Sequence, residues 1–272
     1  MDWRPYQASR VRIIGNHKTD GMIDPVRGCL GCELSPECYA RKMARMGRTD
    51  HGIPVRQILD PVFLAKQVKR YAQHSHDWIR IGCVGDPSFD WELTTEVCRI
   101  VRDAGVTPVI VSKIHQAIPR KCAASLAETS LLQVSVSGMQ TQRQGETRLA
   151  TVLRHRAKGG AVMIRLVSAR WLAGSAPDKR QTALAFWAQS HGVTVLDTPL
   201  RLRRTGPFWA LVEQPVYHRH CSPMSGTLGI EYSAGLVIEG ALPCASTCSP
   251  VWRAAYDPGC AHQCGTKAIA CG

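Results

Sequence analysis

The feature that most constrains the fold is an alternation of short apolar runs and helix-forming stretches between residues 75 and 200. The apolar runs are rich in β-branched residues and are predicted to be strands, and the stretches between them to be helices. The predicted strands cover residues 78–84, 107–112, 131–136, 161–167 and 193–197, and the predicted helices cover 92–104, 119–128, 146–157 and 178–191. Repeated units of this kind indicate parallel strands joined by helical crossovers, with reacting groups at the C-terminal ends of the strands.

A first strand is also expected near the start of the chain, either at residues 11–14 or in the segment that enters Cys29. Six strand–helix units would form a partial or complete α/β barrel. After Leu200 the alternation stops, and glycine, proline and serine become frequent. We therefore predict an α/β domain over residues 1–204 and an irregular, cysteine-bearing extension over residues 205–272.

Twelve cysteines are many for a chain of 272 residues. No apolar run reaches the roughly 20 residues that span a bilayer, and the N-terminus lacks the apolar stretch of a secretory signal. We therefore expect a cytoplasmic protein without a membrane partner. In that compartment the cysteines indicate metal binding or catalysis rather than disulfides. Cys83, Cys98 and Cys122 lie in apolar or helical contexts and are expected to be ordinary buried side chains.

Three other cysteines share one short loop ahead of the helix-like stretch Tyr39–Met46. Cys29, Cys32 and Cys38 have the spacing C-x2-C-x5-C. Three thiolates are one fewer than a cubane iron–sulfur cluster takes, so a cluster held here would leave one iron open to a small molecule. Zinc usually takes four ligands, and the nearest histidines, His17 and His51, are not at typical spacing. The loop therefore favours a [4Fe-4S] cluster, with zinc and chance clustering as alternatives.

A second group of cysteines lies near the C-terminus and comprises two C-x3-C pairs, Cys244 with Cys248 and Cys260 with Cys264. Four thiolates could close a fully ligated site for zinc or for a second iron–sulfur cluster. The spacing fits the common C-x2-C zinc knuckle less well, and free or disulfide-bonded thiols are a third alternative. Cys221 and Cys271 lie outside the two pairs and are further candidate ligands.

The charge of the chain is large and uneven. The formal net charge is +13. Residues 221–272 hold two basic and three acidic side chains, a net charge of −1, so the rest of the chain carries +14. A basic body implies an anionic substrate or partner, such as DNA, RNA or a nucleotide, with a solvated basic surface as the alternative.

Several motifs occur in an order that is similar to that of one known superfamily. They are Gly28-Cys29, Ser35-Pro36 and Cys38-Tyr39-Ala40 in the cysteine loop, and residues 84–90, 111–113 and 133–137 at the second, third and fourth strands. With these motifs the chain resembles the radical S-adenosylmethionine (radical SAM) enzymes over about residues 22–200. The closest resemblance is to a phage-associated branch of unassigned function. The cysteine spacing departs from C-x3-C-x2-C, which is the commonest spacing in the superfamily.

This resemblance implies a partial (β/α)6 TIM-like barrel of radical SAM type, with a [4Fe-4S] cluster on Cys29, Cys32 and Cys38. S-adenosylmethionine would chelate the open iron, and electron transfer from the cluster would cleave it to a 5′-deoxyadenosyl radical. An electron donor such as flavodoxin or ferredoxin and an auxiliary cluster on the C-terminal cysteines are implied as well. The residues expected to bind the cofactor are Tyr39, Gly85, Asp86, Lys113, Ser135, Ser137 and Arg165.

Repair or modification of a nucleic acid or nucleotide is the first expectation for the reaction, and peptide modification stays open. The alternative from a different class is a non-catalytic, zinc-dependent nucleic-acid-binding protein. The net charge of −1 over residues 221–272 weighs against this alternative, because a zinc ribbon that grips nucleic acid should itself be basic.

Overall fold

The structure is a computed structural model that describes residues 4–14, 21–74, 77–200, 202, 206–213 and 242–243. The described residues fall into two compact units. The first comprises those within Met1–Val134 and Gln142–Val162, and the second those within Ser135–Thr141 and Met163–Gly272. The predicted boundary near residue 204 is a different division, and most of the predicted extension lies outside the described residues.

Short strands and longer helices alternate along the described chain. The strands are β1 (Arg4–Pro5), β2 (Ile13–Ile14), β3 (Met22–Ile23), β4 (Val26–Arg27), β5 (Thr49–Asp50), β6 (Val55–Arg56), β7 (Trp78–Ile81), β8 (Thr107–Ser112), β9 (Leu131–Ser137), β10 (Ala161–Ser168), β11 (Val195–Pro199) and β12 (Leu242–Pro243). The helices are α1 (Tyr39–Met46), α2 (Pro61–Ala72), α3 (Trp91–Asp103), α4 (Arg120–Thr129), α5 (Gln142–Ala157) and α6 (Ala176–Ser190), with 3₁₀ turns at Ser35–Glu37, Pro87–Phe89 and Trp209–Leu211.

The first unit is built on a mostly parallel sheet in the order β2–β3–β7–β8–β9. Strands β3, β7, β8 and β9 run parallel, and β2 is antiparallel to β3. The parallel strands are short, mainly apolar runs, and most of their side chains are buried, among them Ile79, Ile110 and Leu132. Because parallel strands end at one edge of a sheet, the segments that follow β3, β7 and β8 lie beside one another.

The helices of this unit begin at local sequence signals. Asp60 caps α2 by accepting a hydrogen bond from the Phe63 N–H (3.0 Å), and Pro61 occupies the first turn, where its missing N–H costs nothing. Asp90 caps α3 through the Leu93 N–H (2.9 Å). The apolar faces of these helices pack in the core through side chains such as Leu64 and Val97, which are fully buried.

The second unit contains the parallel pair β10–β11, the two-residue strand β12 beside β11, and helix α6. Gln181 of α6 exchanges two hydrogen bonds with the backbone of Ala169 (2.9 and 2.8 Å) and accepts a third from the indole N–H of Trp171 (3.0 Å). The buried polar network ties α6 to the segment that leaves β10.

The prediction of an α/β fold with mostly parallel strands is confirmed. Strand β8 and helix α1 have the predicted bounds. Each of the other predicted elements starts and ends within four residues of the observed element. Helix α2 was not predicted. Of the two places expected for the first strand, residues 11–14 hold the antiparallel strand β2, and the segment that enters Cys29 holds Met22–Ile23, the first parallel strand of the main sheet. In the described part of the chain, no helix combines the length and apolar character needed to cross a bilayer.

Candidate metal centre at the strand ends

The cysteine loop is held against the sheet by backbone contacts at its start. The Gly28 N–H donates to the Val84 carbonyl (3.2 Å), and the Cys29 N–H donates to the His51 carbonyl (2.7 Å). Gly28 has φ +89°, and a Cβ there would lie 2.3 Å from the Ile53 carbonyl oxygen. Only glycine therefore fits this position. These contacts place Cys29 just beyond the C-terminal end of β7.

The three predicted ligand thiols lie in one region and are half-buried. Burial raises the pKa of Cys29, and the neighbouring Asp86, Cys32 and Cys38 raise it further. Burial likewise raises the pKa of Cys32, with Cys38 adding to the effect. The three sulfurs are thus close enough to act on one another electrostatically. Lys113 lowers both pKa values, but burial outweighs it, so Cys29 and Cys32 favour the protonated thiol.

The sulfur atoms do not converge in the manner of ligands to a single ion. Within the described residues, the group of three or more metal-ligating atoms that lie within 4.8 Å of one another comprises Cys29, Asp86 and His115. Ligands of a cubane bind separate irons and stand farther apart than ligands of one ion. Within the described residues, the three cysteine sulfurs are therefore not arranged as ligands of one tetrahedral ion.

Asp86 is an organised carboxylate at the end of β7. Its Oδ1 accepts hydrogen bonds from the Ser88 N–H (2.9 Å), the Ser88 hydroxyl (2.7 Å) and the Ser112 hydroxyl (2.6 Å). Its Oδ2 accepts one from the Lys113 N–H (2.7 Å). Asp86 caps the turn Pro87–Phe89 and at the same time joins the ends of β7 and β8.

His115 is a site residue that the sequence analysis did not identify. Its Nε2 lies 3.4 Å from Cys29 Sγ and 3.6 Å from Asp86 Oδ2. The ring stacks on Phe89 at a centroid distance of 5.1 Å, and burial lowers its pKa. His115 is the third residue after β8, so its position at a strand end was an available signal. No local spacing connects it with Cys29, which lies 86 residues earlier in the chain.

A buried ionic network fixes the middle of the loop. Glu33 Oε1 lies 2.6 Å from Lys113 Nζ and 3.1 Å from Arg148, and Glu33 Oε2 lies 3.2 Å from Arg148. Arg148 also donates from Nε to the Lys113 carbonyl (2.6 Å) and is 1% exposed. Burial raises the pKa of Glu33, but Lys113 and Arg148 outweigh it and hold the pKa well below its usual range. In this structure the ammonium of Lys113, predicted to bind the cofactor, is paired with Glu33.

Tyr39, the residue after Cys38, contacts Cys83. The Tyr39 hydroxyl donates to the Cys83 carbonyl (2.5 Å) and lies 3.2 Å from Cys83 Sγ. Asp24, at the end of β3, accepts from the Cys83 N–H (2.6 Å) and the Val84 N–H (3.1 Å) through Oδ1. Burial raises the pKa of Tyr39, Cys83 and Asp24.

The prediction of an ordinary buried cysteine is confirmed for Cys98 and Cys122 and wrong for Cys83, which is half-buried among polar groups.

No family model matches the chain, and no curated protein matches it.

The other predicted site residues have the following positions. Gly85 packs against β4, where a Cβ would lie 2.0 Å from the Val26 carbonyl oxygen, so its missing side chain serves the close approach of two backbones. Ser135 and Ser137 are buried at the end of β9 and Arg165 lies on β10, all in the second unit. The predicted ligands outside the described residues are Cys244, Cys248, Cys260 and Cys264, together with Cys221 and Cys271.

The residues around the loop fit an iron–sulfur cluster in the chemistry of their donors. Three thiols share one loop, and Gly31 at its centre has φ +75° with open space where a Cβ would stand. Leu30 beside it is 59% exposed. The loop is thus exposed at Leu30 and has open space beside Gly31. The ionic network on Glu33 holds the loop in place.

Proposed function

We propose that this chain is a radical SAM enzyme with a [4Fe-4S] cluster held by Cys29, Cys32 and Cys38. The observation that carries the proposal is the grouping of three half-buried thiols at the C-terminal edge of parallel strands, without convergence on a single ion. In α/β folds this edge is where ligands and reacting groups gather. When bound, the cluster would supply the electron that cleaves S-adenosylmethionine to a 5′-deoxyadenosyl radical.

The protein's own residues would hold and shield this chemistry. Glu33, Lys113 and Arg148 fix the loop between Cys32 and Cys38 through buried ionic contacts. Asp86 binds the ends of β7 and β8 together next to Cys29. We include in the proposal a partial (β/α)6 barrel, cofactor contacts from Ser135, Ser137 and Arg165, and an auxiliary cluster on the C-terminal cysteines.

The remaining elements of the proposal concern partners. The net charge of +13 favours an anionic substrate, and we propose a nucleic acid or nucleotide that is repaired or modified. A flavodoxin or ferredoxin would reduce the cluster in the cytoplasm.

Iron analysis and a cofactor-cleavage assay on the same samples test the function. The full chain would be reconstituted anaerobically with iron and sulfide, and 5′-deoxyadenosine measured after addition of dithionite and S-adenosylmethionine. We expect Cys29→Ala, Cys32→Ala and Cys38→Ala each to lose the cluster iron of this loop and to abolish cleavage. Cys122→Ala, which changes a buried cysteine of α4, is the matched control and should retain both. Cys244→Ala and Cys260→Ala should lower total iron and leave part of the cleavage activity.

Two results would contradict the function. Equal 5′-deoxyadenosine from wild type and from all three loop variants would show that the loop cysteines are not needed for cleavage. A colourless wild-type protein that contains stoichiometric zinc and no iron would favour the zinc-dependent nucleic-acid-binding alternative instead.

A further inference from the structure

We infer that Cys29, Asp86 and His115 form a separate site for one divalent transition-metal ion, such as Zn²⁺ or Co²⁺. This site shares only Cys29 with the three-cysteine set and includes two residues that the proposed function does not use as ligands. The inference stands on the geometry of the described residues and does not depend on the radical SAM proposal.

The distances agree with those of ligands on one tetrahedral ion. Zinc binds thiolate sulfur at about 2.3 Å and imidazole nitrogen or carboxylate oxygen at about 2.0–2.2 Å, which puts tetrahedral ligand atoms about 3.4–3.6 Å apart. The observed separations are 3.4 Å from Cys29 Sγ to His115 Nε2 and 3.6 Å from His115 Nε2 to Asp86 Oδ2. All three ligand atoms lie within 4.8 Å of one another. A single hydrogen bond would explain one of these contacts but not the convergence of all three.

Each ligand comes from a different strand end and is oriented by neighbours. Cys29 is fixed by its backbone bond to His51 (2.7 Å). Both oxygens of Asp86 are held by the hydrogen bonds described above, and Oδ2, which accepts from the Lys113 N–H, has a second lone pair to offer a metal. His115 is held by the stacked Phe89 ring and by a hydrogen bond from its backbone N–H to Ser88 Oγ (3.0 Å). Such supporting contacts orient metal ligands and strengthen binding.

The charge balance favours a divalent ion. A thiolate, a carboxylate and a neutral imidazole carry a charge of −2, so a divalent ion would make the buried group neutral. Binding would transfer the Cys29 thiol proton to solvent as the metal–sulfur bond forms. Three protein ligands leave a fourth position for water, as in zinc sites that are not purely structural.

This site and a cluster on the same loop exclude each other. One sulfur of Cys29 would serve either the single ion or the cluster, so a bound zinc ion would block assembly of the cluster. His115 and Asp86 are needed for the ion alone, and Cys32 and Cys38 for the cluster alone. The two sets of variants therefore separate the two sites.

Titration of the iron-free full chain with Co²⁺ under reducing, anaerobic conditions tests the inference. Coordination by a thiolate changes the absorption spectrum of Co²⁺, and this change reports binding. The bound Co²⁺ is counted by metal analysis after the unbound ion has been removed. We expect His115→Gln and Asp86→Asn each to weaken or lose one equivalent of Co²⁺, with an affinity at least about tenfold lower. His191→Gln, at an exposed position just after α6, is the matched control and should bind as wild type does. Cys29→Ala should lose the same equivalent, and Cys29→Ala with His115→Gln should lose no more.

The outcome is independent of the enzymatic function. Cys32→Ala and Cys38→Ala should keep this equivalent of Co²⁺ while failing to assemble the cluster, and His115→Gln should keep the cluster iron. Preloading wild type with Zn²⁺ should lower the cluster iron, and preloading His115→Gln should not. Wild-type Co²⁺ stoichiometry and affinity in His115→Gln would overturn the inference. So would a loss of the same equivalent in Cys38→Ala, because the ion would then be held by the cysteine trio.

Discussion

Glu33 is the residue on which the ionic contacts of the cysteine loop depend. Its carboxylate is 8% exposed and meets two cations, Lys113 at 2.6 Å and Arg148 at 3.1 Å. The pair of cations stays buried only while a negative charge lies between them. A residue between Cys32 and Cys38 thus acts as the anchor of the loop, although nothing in the motif C-x2-C-x5-C requires a carboxylate there.

Replacing Glu33 with Gln tests this role at the residue scale. The amide keeps the shape and removes the charge, so the buried Lys113 and Arg148 would lose the carboxylate that lies between them. We expect a loss of about 3–5 kcal/mol in the free energy of unfolding, measured by urea denaturation. Glu92→Gln removes the carboxylate of an ion pair in which both side chains are 65% exposed, and should leave the urea midpoint essentially unchanged. Equal midpoints for wild type and Glu33→Gln would refute the anchoring role.

At the scale of elements, strand and helix positions followed from local sequence, whereas their junctions did not. The periodic apolar runs gave β7 to β11, because a buried parallel strand reads as a short β-branched run. Helix α2 was missed although Asp60 and Pro61 form a recognisable helix start. The role of Gly85 was not readable in sequence, because it depends on the approach of β4 to the end of β7.

The junction between β4 and β7 can be tested by Gly85→Ala. The added Cβ would stand 2.0 Å from the Val26 carbonyl oxygen, and backbone atoms cannot move aside cheaply. We expect a loss of about 1–3 kcal/mol in the free energy of unfolding, measured by urea denaturation. Gly47→Ala is the matched control, because a Cβ at Gly47 meets its nearest atoms at 3.6 Å and φ is −83°. A Gly85→Ala protein as stable as Gly47→Ala would contradict this account of the junction.

At the scale of the whole molecule, burial of a histidine makes stability depend on pH. His155 on α5 is 3% exposed and lies against Gly160, where a Cβ would come within 2.4 Å of its Nε2. Burial lowers the pKa of His155 from 6.5 to about 4. Between these values the unfolded chain binds more protons than the folded chain, so stability falls as the pH falls.

The expected loss from His155 is on the order of 3 kcal/mol as the pH falls from 6.5 to 4. The measurement is the urea midpoint as a function of pH for wild type and for His155→Gln. The difference between the two curves isolates this histidine from other titrating groups. The stability of wild type relative to His155→Gln should rise as the pH rises from 4 to 6.5 and stay constant above pH 6.5. A flat difference curve would mean that the folded-state pKa of His155 is not lowered.

The sequence by itself determined the α/β class, most element positions and the loop with three cysteines, because apolar periodicity and cysteine spacing are local properties of the chain. Only the tertiary structure decided which side chains meet. It paired Lys113 with Glu33 rather than leaving it free, brought His115 to Cys29 across 86 positions of sequence, and set Cys83 beside Tyr39. These contacts arise because parallel strands deliver distant residues to one edge of a sheet, and no local pattern records which strands are neighbours.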